Sequence, residues 1–135
     1  MATTSFRTLA GMGMLDQFQA AFDGFCNSVA AVPAAVRTRV STAAVEVLGN
    51  ILEHGSTVGR PVEVEVEISI LGGQLRVLVA DDGADPHIDL TAVSMPDGGE
   101  ESGRGLALVI TLLNSVAFER VGSVNRWSLA ADLAA

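Results

Sequence analysis

Glu46, Asn50 and His54 recur at every fourth residue of the stretch EVLGNILEH. On a helix this spacing gathers the three side chains within an arc of roughly 80°. Val40, Ala43, Val47 and Ile51 fall beside that arc, at roughly 60° to 140° from Glu46. The polar row therefore borders a buried face and does not oppose it. A carboxylate, a carboxamide and an imidazole in such a row suit a polar ligand site with a general base. They also suit an ordinary solvent-facing stripe, and the helix alone leaves both readings open.

Two further stretches carry chemistry. In VADDGAD a strand of buried type runs straight into Asp81, Asp82 and Gly83. An aspartate at a strand end accepts a hydrogen bond from a ligand amine, and a glycine two residues later lets backbone approach the ligand closely. A plain Asp-Gly turn has the same sequence. In ESGRGLALVI, Gly103 and Gly105 flank Arg104 where a helix begins. Free amides, a positive helix end and a guanidinium make an anion site. A glycine-rich hinge is the alternative.

Composition narrows the chemistry. None of the 135 residues is lysine, so every cation is an arginine. A P-loop and a kinase of the eukaryotic type each require a lysine on the phosphates, and both are excluded. Any handling of phosphate must rest on a metal ion, backbone amides and arginine. The net charge of -8 and pI near 4.5 give no footprint for nucleic acid or for an anionic membrane. They suit a basic protein partner. Hydrophobic residues make up 49% and mean hydropathy is +0.41, yet no apolar run approaches a membrane span. The N-terminal LAGMGML is a poor signal peptide, so the expectation is a cytoplasmic protein. Cys26 is the only cysteine, which excludes an internal disulfide and reads as a small core residue. His54 and His87 lie in unrelated segments without a zinc-ligand spacing.

The elements that position these residues follow from periodicity. TSFRTLA predicts a first strand. Met14, Leu15, Phe18, Ala21, Phe22, Phe25 and Val29 form the core stripe of a first helix. Pro33 suits the first turn of a second helix, which runs to His54 and stops at Gly55. PVEVEVEISI alternates strictly, LGGQ turns the chain, and LRVLVAD returns as the second strand of a hairpin. Residues 83–103 form a long aperiodic loop. GLALVITLLNSV predicts a third helix, and AFERVG and RWSLAADL predict two last strands joined near Gly122. The expected class is α+β, with helices packed on one face of a mixed, mainly antiparallel sheet in a two-layer sandwich.

In this order the three stretches resemble the motifs of the Bergerat-fold (GHKL) ATP-binding domain shared by DNA gyrase, histidine kinases and MutL. EVLGNILEHG is similar to its N box, DDG to its first glycine box, and GRGLAL to its second. Within that group the chain resembles the small bacterial anti-sigma factor serine kinases. The resemblance implies one ATPase domain over residues 1–135, with an ATP lid at about 84–102. It implies that Glu46 is the general base and that Asn50 coordinates Mg²⁺ on the ATP phosphates. Asp81 would bind the adenine amino group, and Gly83 would shape that turn. Gly103, Arg104, Gly105 and Leu106 would close over the phosphates, with His54 at the pocket edge. The implied partners are a sigma factor and a STAS-type anti-anti-sigma antagonist phosphorylated on serine. A homodimer is implied by the same resemblance.

One position departs from the pattern. Asp85, followed by Pro86 and His87, stands where the family often has a second glycine. A carboxylate there is expected to point towards the nucleotide and favours a second function, a partner-binding switch without chemistry. A catalytic domain acting on a separate histidine protein is a third.

Overall fold

The strict alternation of Val and Glu along β2 (Glu63–Leu71) fixes how the whole sheet is built. Val64, Val66 and Ile68 are buried, while Glu63 and Glu65 face water and Glu67 is half-buried. The protein, analysed as a computed structural model, is described over residues 2–29, 31–55, 59–92 and 104–134. Around β2 stand β1 (Ala2–Leu9), β3 (Gln74–Asp81), β4 (Ser115–Val121) and β5 (Val124–Asp132), in the spatial order β1-β2-β3-β5-β4. The sheet is mainly antiparallel as expected, and among the described residues it is wholly so.

Among the described residues three α-helices, α1 (Met14–Ser28), α2 (Ala34–Gly55) and α3 (Arg104–Leu112), make the second layer. α1 covers β1 and β2, α2 crosses β3 and β5, and α3 packs against α2. The stripe on α1 is core as expected: Met14, Phe18, Phe22 and Phe25 are buried, and the rings of Phe18 and Phe22 stack at 5.4 Å. Val40, Ala43, Ala44, Val47 and Leu48 bring α2 onto the sheet with no exposed surface. Cys26 is buried and free, as expected.

The β2–β3 turn needs its two glycines. Gly72 and Gly73 have φ of +60° and +74°, the left-handed pair that matches the twist of a two-residue hairpin. Surface ion pairs such as Arg7–Glu65 at 3.1 Å add little, because both side chains are well exposed.

The third helix departs from expectation. The apolar run GLALVITLLNSV does not stay helical to Val116: α3 ends at Leu112, and β4 begins at Ser115. Sheet pairing overrides the periodicity there, with Ser115 opposite Ala130 and Val116 opposite Leu129. The helix end is held by Arg39, whose Nε donates to the Leu112 carbonyl at 2.8 Å. Asn114 Oδ1 accepts from the Asp132 N–H at 2.9 Å and from Arg39 Nη2 at 3.2 Å. A cation on terminal carbonyls also offsets the negative helix end.

Candidate functional site

The half-buried side of α2, the end of β3 and the start of α3 converge on one cavity of about 430 Å³. Glu46, Asn50, His54, Asp81, Gly105 and Leu106 all line it. Residues separated by up to sixty positions thus meet because β3 lies under α2 and α3 packs beside it. Glu46 and Asn50 are half-buried at the floor, and His54 is exposed at the edge. Ile51, Ala84, Pro86, Ile88 and Trp127 supply apolar walls. A volume in this range, with mainly apolar walls and a few polar groups, fits a flat heterocycle.

Asp81 and Asp82 have opposite fates. Asp81 is 5% exposed and faces the cavity. Its Oδ1 accepts from the Gly83 N–H at 2.8 Å and from Asn125 Nδ2 at 2.9 Å. Asp82 turns away: its Oδ1 accepts from the Glu63 N–H at 2.9 Å, and its Oδ2 pairs with Arg60 at 3.2 Å. Gly83 is buried and bends the chain after the two aspartates.

Gly105 sits where a side chain does not fit. A Cβ built on it would lie 2.6 Å from Glu46 Oε2. The missing side chain lets the first turn of α3 close against the Glu46 carboxylate. Gly105 and Leu106, in the turn whose amides have no helical partner, line the same cavity as Asn50. Gly103 lies outside the described residues, as do positions 93–102 of the expected lid, and of Arg104 only the backbone is described.

The carboxylate at position 85 does not enter the cavity. Asp85 Oδ1 accepts from the His87 N–H at 2.8 Å, and its Oδ2 lies 3.6 Å from His87 Nδ1. This local turn holds His87 at φ +52° and sends Pro86 and Ile88 to the cavity in place of Asp85. The expectation of a carboxylate aimed at the nucleotide is corrected on this point.

Asn125, Arg120 and Trp127 were not anticipated. Asn125 is 2% exposed and lines the cavity next to Trp127. Its signal was an asparagine at a core-facing position of an alternating strand, seen only once β5 starts at Val124 and not at Arg126. Among the described residues no group of His, Cys, Asp or Glu side chains could hold a metal by itself. No described helix is long and apolar enough to cross a membrane.

The family profile of the histidine kinase-like ATPase domain matches residues 12–129, and the chain belongs to this family. Comparison with curated proteins gives no match. Among solved structures, the RsbU and RsbW domains of Rv1364c from Mycobacterium tuberculosis superpose with a TM-score of 0.69 at 16% identity, over 98% of this chain and 32% of that one. The histidine kinase domain of a blue-light activated kinase from Erythrobacter litoralis gives 0.59 at 23% identity, over 90% of this chain and 60% of that one. The Acinetobacter baumannii histidine kinase AdeS gives 0.54 at 13% identity, over 96% and 68%. At these identities the likeness is one of fold. The chain spans about a third of the Mycobacterium structure and three fifths of the Erythrobacter one.

Proposed function

We propose that this domain binds Mg-ATP in the α2–β3–α3 cavity and acts as an anti-sigma factor serine kinase. The observation that carries the reading is the convergence of Glu46, Asn50, Asp81 and Gly105 on one cavity. Family membership supports ATP as the ligand, and the RsbW domain fold supports the anti-sigma branch.

Each residue has a task that its chemistry fits. The carboxylate of Asp81 accepts from the adenine amino group while the apolar walls take the ring faces. The Asn50 side-chain oxygen is a neutral ligand of the kind Mg²⁺ accepts beside waters and phosphate oxygens. The amides of the α3 N-terminus, with Gly103 and Arg104 before them, meet the phosphates. Leu106 closes the wall and His54 the rim. Bound Mg-ATP supplies the phosphoryl group and the charge that neutralises its transfer. Glu46 takes the proton from the attacking serine hydroxyl. The lid spans about residues 84–102, and residues 1–135 act as one domain. The partners are a sigma factor, a STAS-type antagonist and a second copy of the chain. With Asp85 turned out of the cavity, the feature that favoured a binding-only switch loses its force.

Incubation with γ-labelled Mg-ATP and the STAS-domain proteins of the same genome tests this. Acid-stable label on one of them is expected. Substitution Glu46→Gln should slow transfer by about 10²–10⁴ with nucleotide binding retained. Label that is lost in acid would point to a histidine acceptor instead.

A further inference from the structure

We infer that Asn125 and Arg120 are positioning residues for base recognition: they decide which oxygen of Asp81 meets the ligand, and they tie the turn at Gly83 and Ala84 to the β4–β5 hairpin. This rests on the nucleotide reading above. Asp81, Asn125 and Arg120 lie side by side across β3, β5 and β4 as registered cross-strand neighbours. The arrangement is therefore built on the sheet and not on a loop.

The donor and acceptor inventory leaves one assignment. Arg120 Nη1 donates to Asn125 Oδ1 at 2.8 Å and to the Gly83 carbonyl at 3.2 Å. A guanidinium has no acceptor, so the carboxamide must turn its oxygen to Arg120 and its amine to the other side. That amine donates to Asp81 Oδ1 at 2.9 Å and to the Ala84 carbonyl at 3.0 Å. Both of its hydrogens are then used, and Asn125 has none left for a ligand. Asp81 Oδ1 also takes the Gly83 N–H at 2.8 Å. Oδ2 is the oxygen left to the cavity.

The clamp has a specificity consequence. A carboxylate fixed in this way offers only acceptors. It matches the 6-amino group of adenine and faces the 6-oxo group of hypoxanthine with like polarity. A side chain free to rotate, or a turn free to move at Gly83 and Ala84, holds that distinction poorly. The hydrogen bonds of the clamp run among β3, β4, β5 and the turn at Gly83 and Ala84, and none of them involves Glu46 or Asn50.

Titration of the full chain with Mg-ATP and Mg-ITP separates positioning from scaffolding. Asn125→Leu removes both donors and keeps the branching of the side chain, though its methyls are bulkier. Arg120→Met removes the guanidinium at a half-buried position and carries the test if Asn125→Leu does not fold. The expected result is an ATP affinity lowered by about tenfold to a hundredfold with ITP affinity unchanged, so that discrimination collapses. Equal loss of both nucleotides would reduce the pair to structural supports, and unchanged affinities would remove it from recognition altogether. In both cases wild-type preference for ATP would leave the nucleotide reading standing. Wild-type protein that binds neither nucleotide would overturn that reading and this inference together.

Discussion

Gly105→Ala should separate the chemistry of this domain from its stability. Among the described residues the added methyl meets only Glu46, at 2.6 Å from Oε2 and 3.6 Å from Cδ. To restore an ordinary contact, which begins at 3.4 Å, Oε2 must retreat by roughly 0.8 Å or more. The obstacle is the far end of a flexible side chain, so the backbone of α3 has no need to move. Alanine gains at most about 0.8–1 kcal/mol over glycine, the helix-interior value, at this second residue of α3. An off-rotamer Glu46 costs about 0.5–1.5 kcal/mol. The two nearly cancel, and the melting temperature should stay within about 5 °C of wild type. The rate should not survive so well. A catalytic group displaced by about 1 Å loses on the order of a hundredfold, so phosphate transfer should fall about tenfold to a hundredfold. Steady-state transfer and thermal melting, run on the same preparation, read both effects. In a Glu46→Gln background Gly105→Ala should slow transfer no further, since both act through one carboxylate. An unchanged rate would refute the placement of Glu46 at the reacting end. A collapse in melting temperature would refute the claim that the side chain yields and the helix stays.

Other consequences concern the scaffold. Phe18→Ala empties a fully buried position in the stacked pair with Phe22, and denaturant titration should show a loss of about 3–5 kcal/mol. Arg39→Met uncaps α3 and leaves Asn114 Oδ1 with only its Asp132 N–H donor, and the same assay should register about 1.5–3 kcal/mol for the charged hydrogen bonds. Burial pushes the Cys26 thiol up, against the opposing pull of Arg37 and with a smaller push from Asp23. The native state then keeps a proton that the unfolded state releases. Its contribution is complete below about pH 8.5 and is lost as pH rises beyond the unfolded value. Stability measured from pH 7 to 10 should decline less steeply in Cys26→Ala, and alkylation of the wild-type thiol should await unfolding.

Much of the site was legible because it lies on periodic elements. Glu46, Asn50 and Ile51 could be placed from helical angles, since the wheel of α2 is unbroken from Ala34 to Gly55. The alternation of β2 marked its inner and outer faces without ambiguity. What escaped depended on contacts between distant segments. The end of α3 is set by Arg39 and by strand pairing, and neither is written in the apolar run itself. Asn125 escaped because β5 begins two residues before the obvious apolar alternation. The path of Asp85 turns on one side-chain bond to the next-but-one amide, which competes with the cavity for the same carboxylate.

The central claim is that the cavity between α2, β3 and α3 holds adenine nucleotide through Asp81. Calorimetric titration of Mg-ATP into the wild-type chain and into Asp81→Asn tests it most directly. Saturable binding of one nucleotide per chain, weakened at least about tenfold by the loss of the carboxylate, is the predicted result. Heat signals that never saturate, or an affinity indifferent to Asp81→Asn, would contradict it.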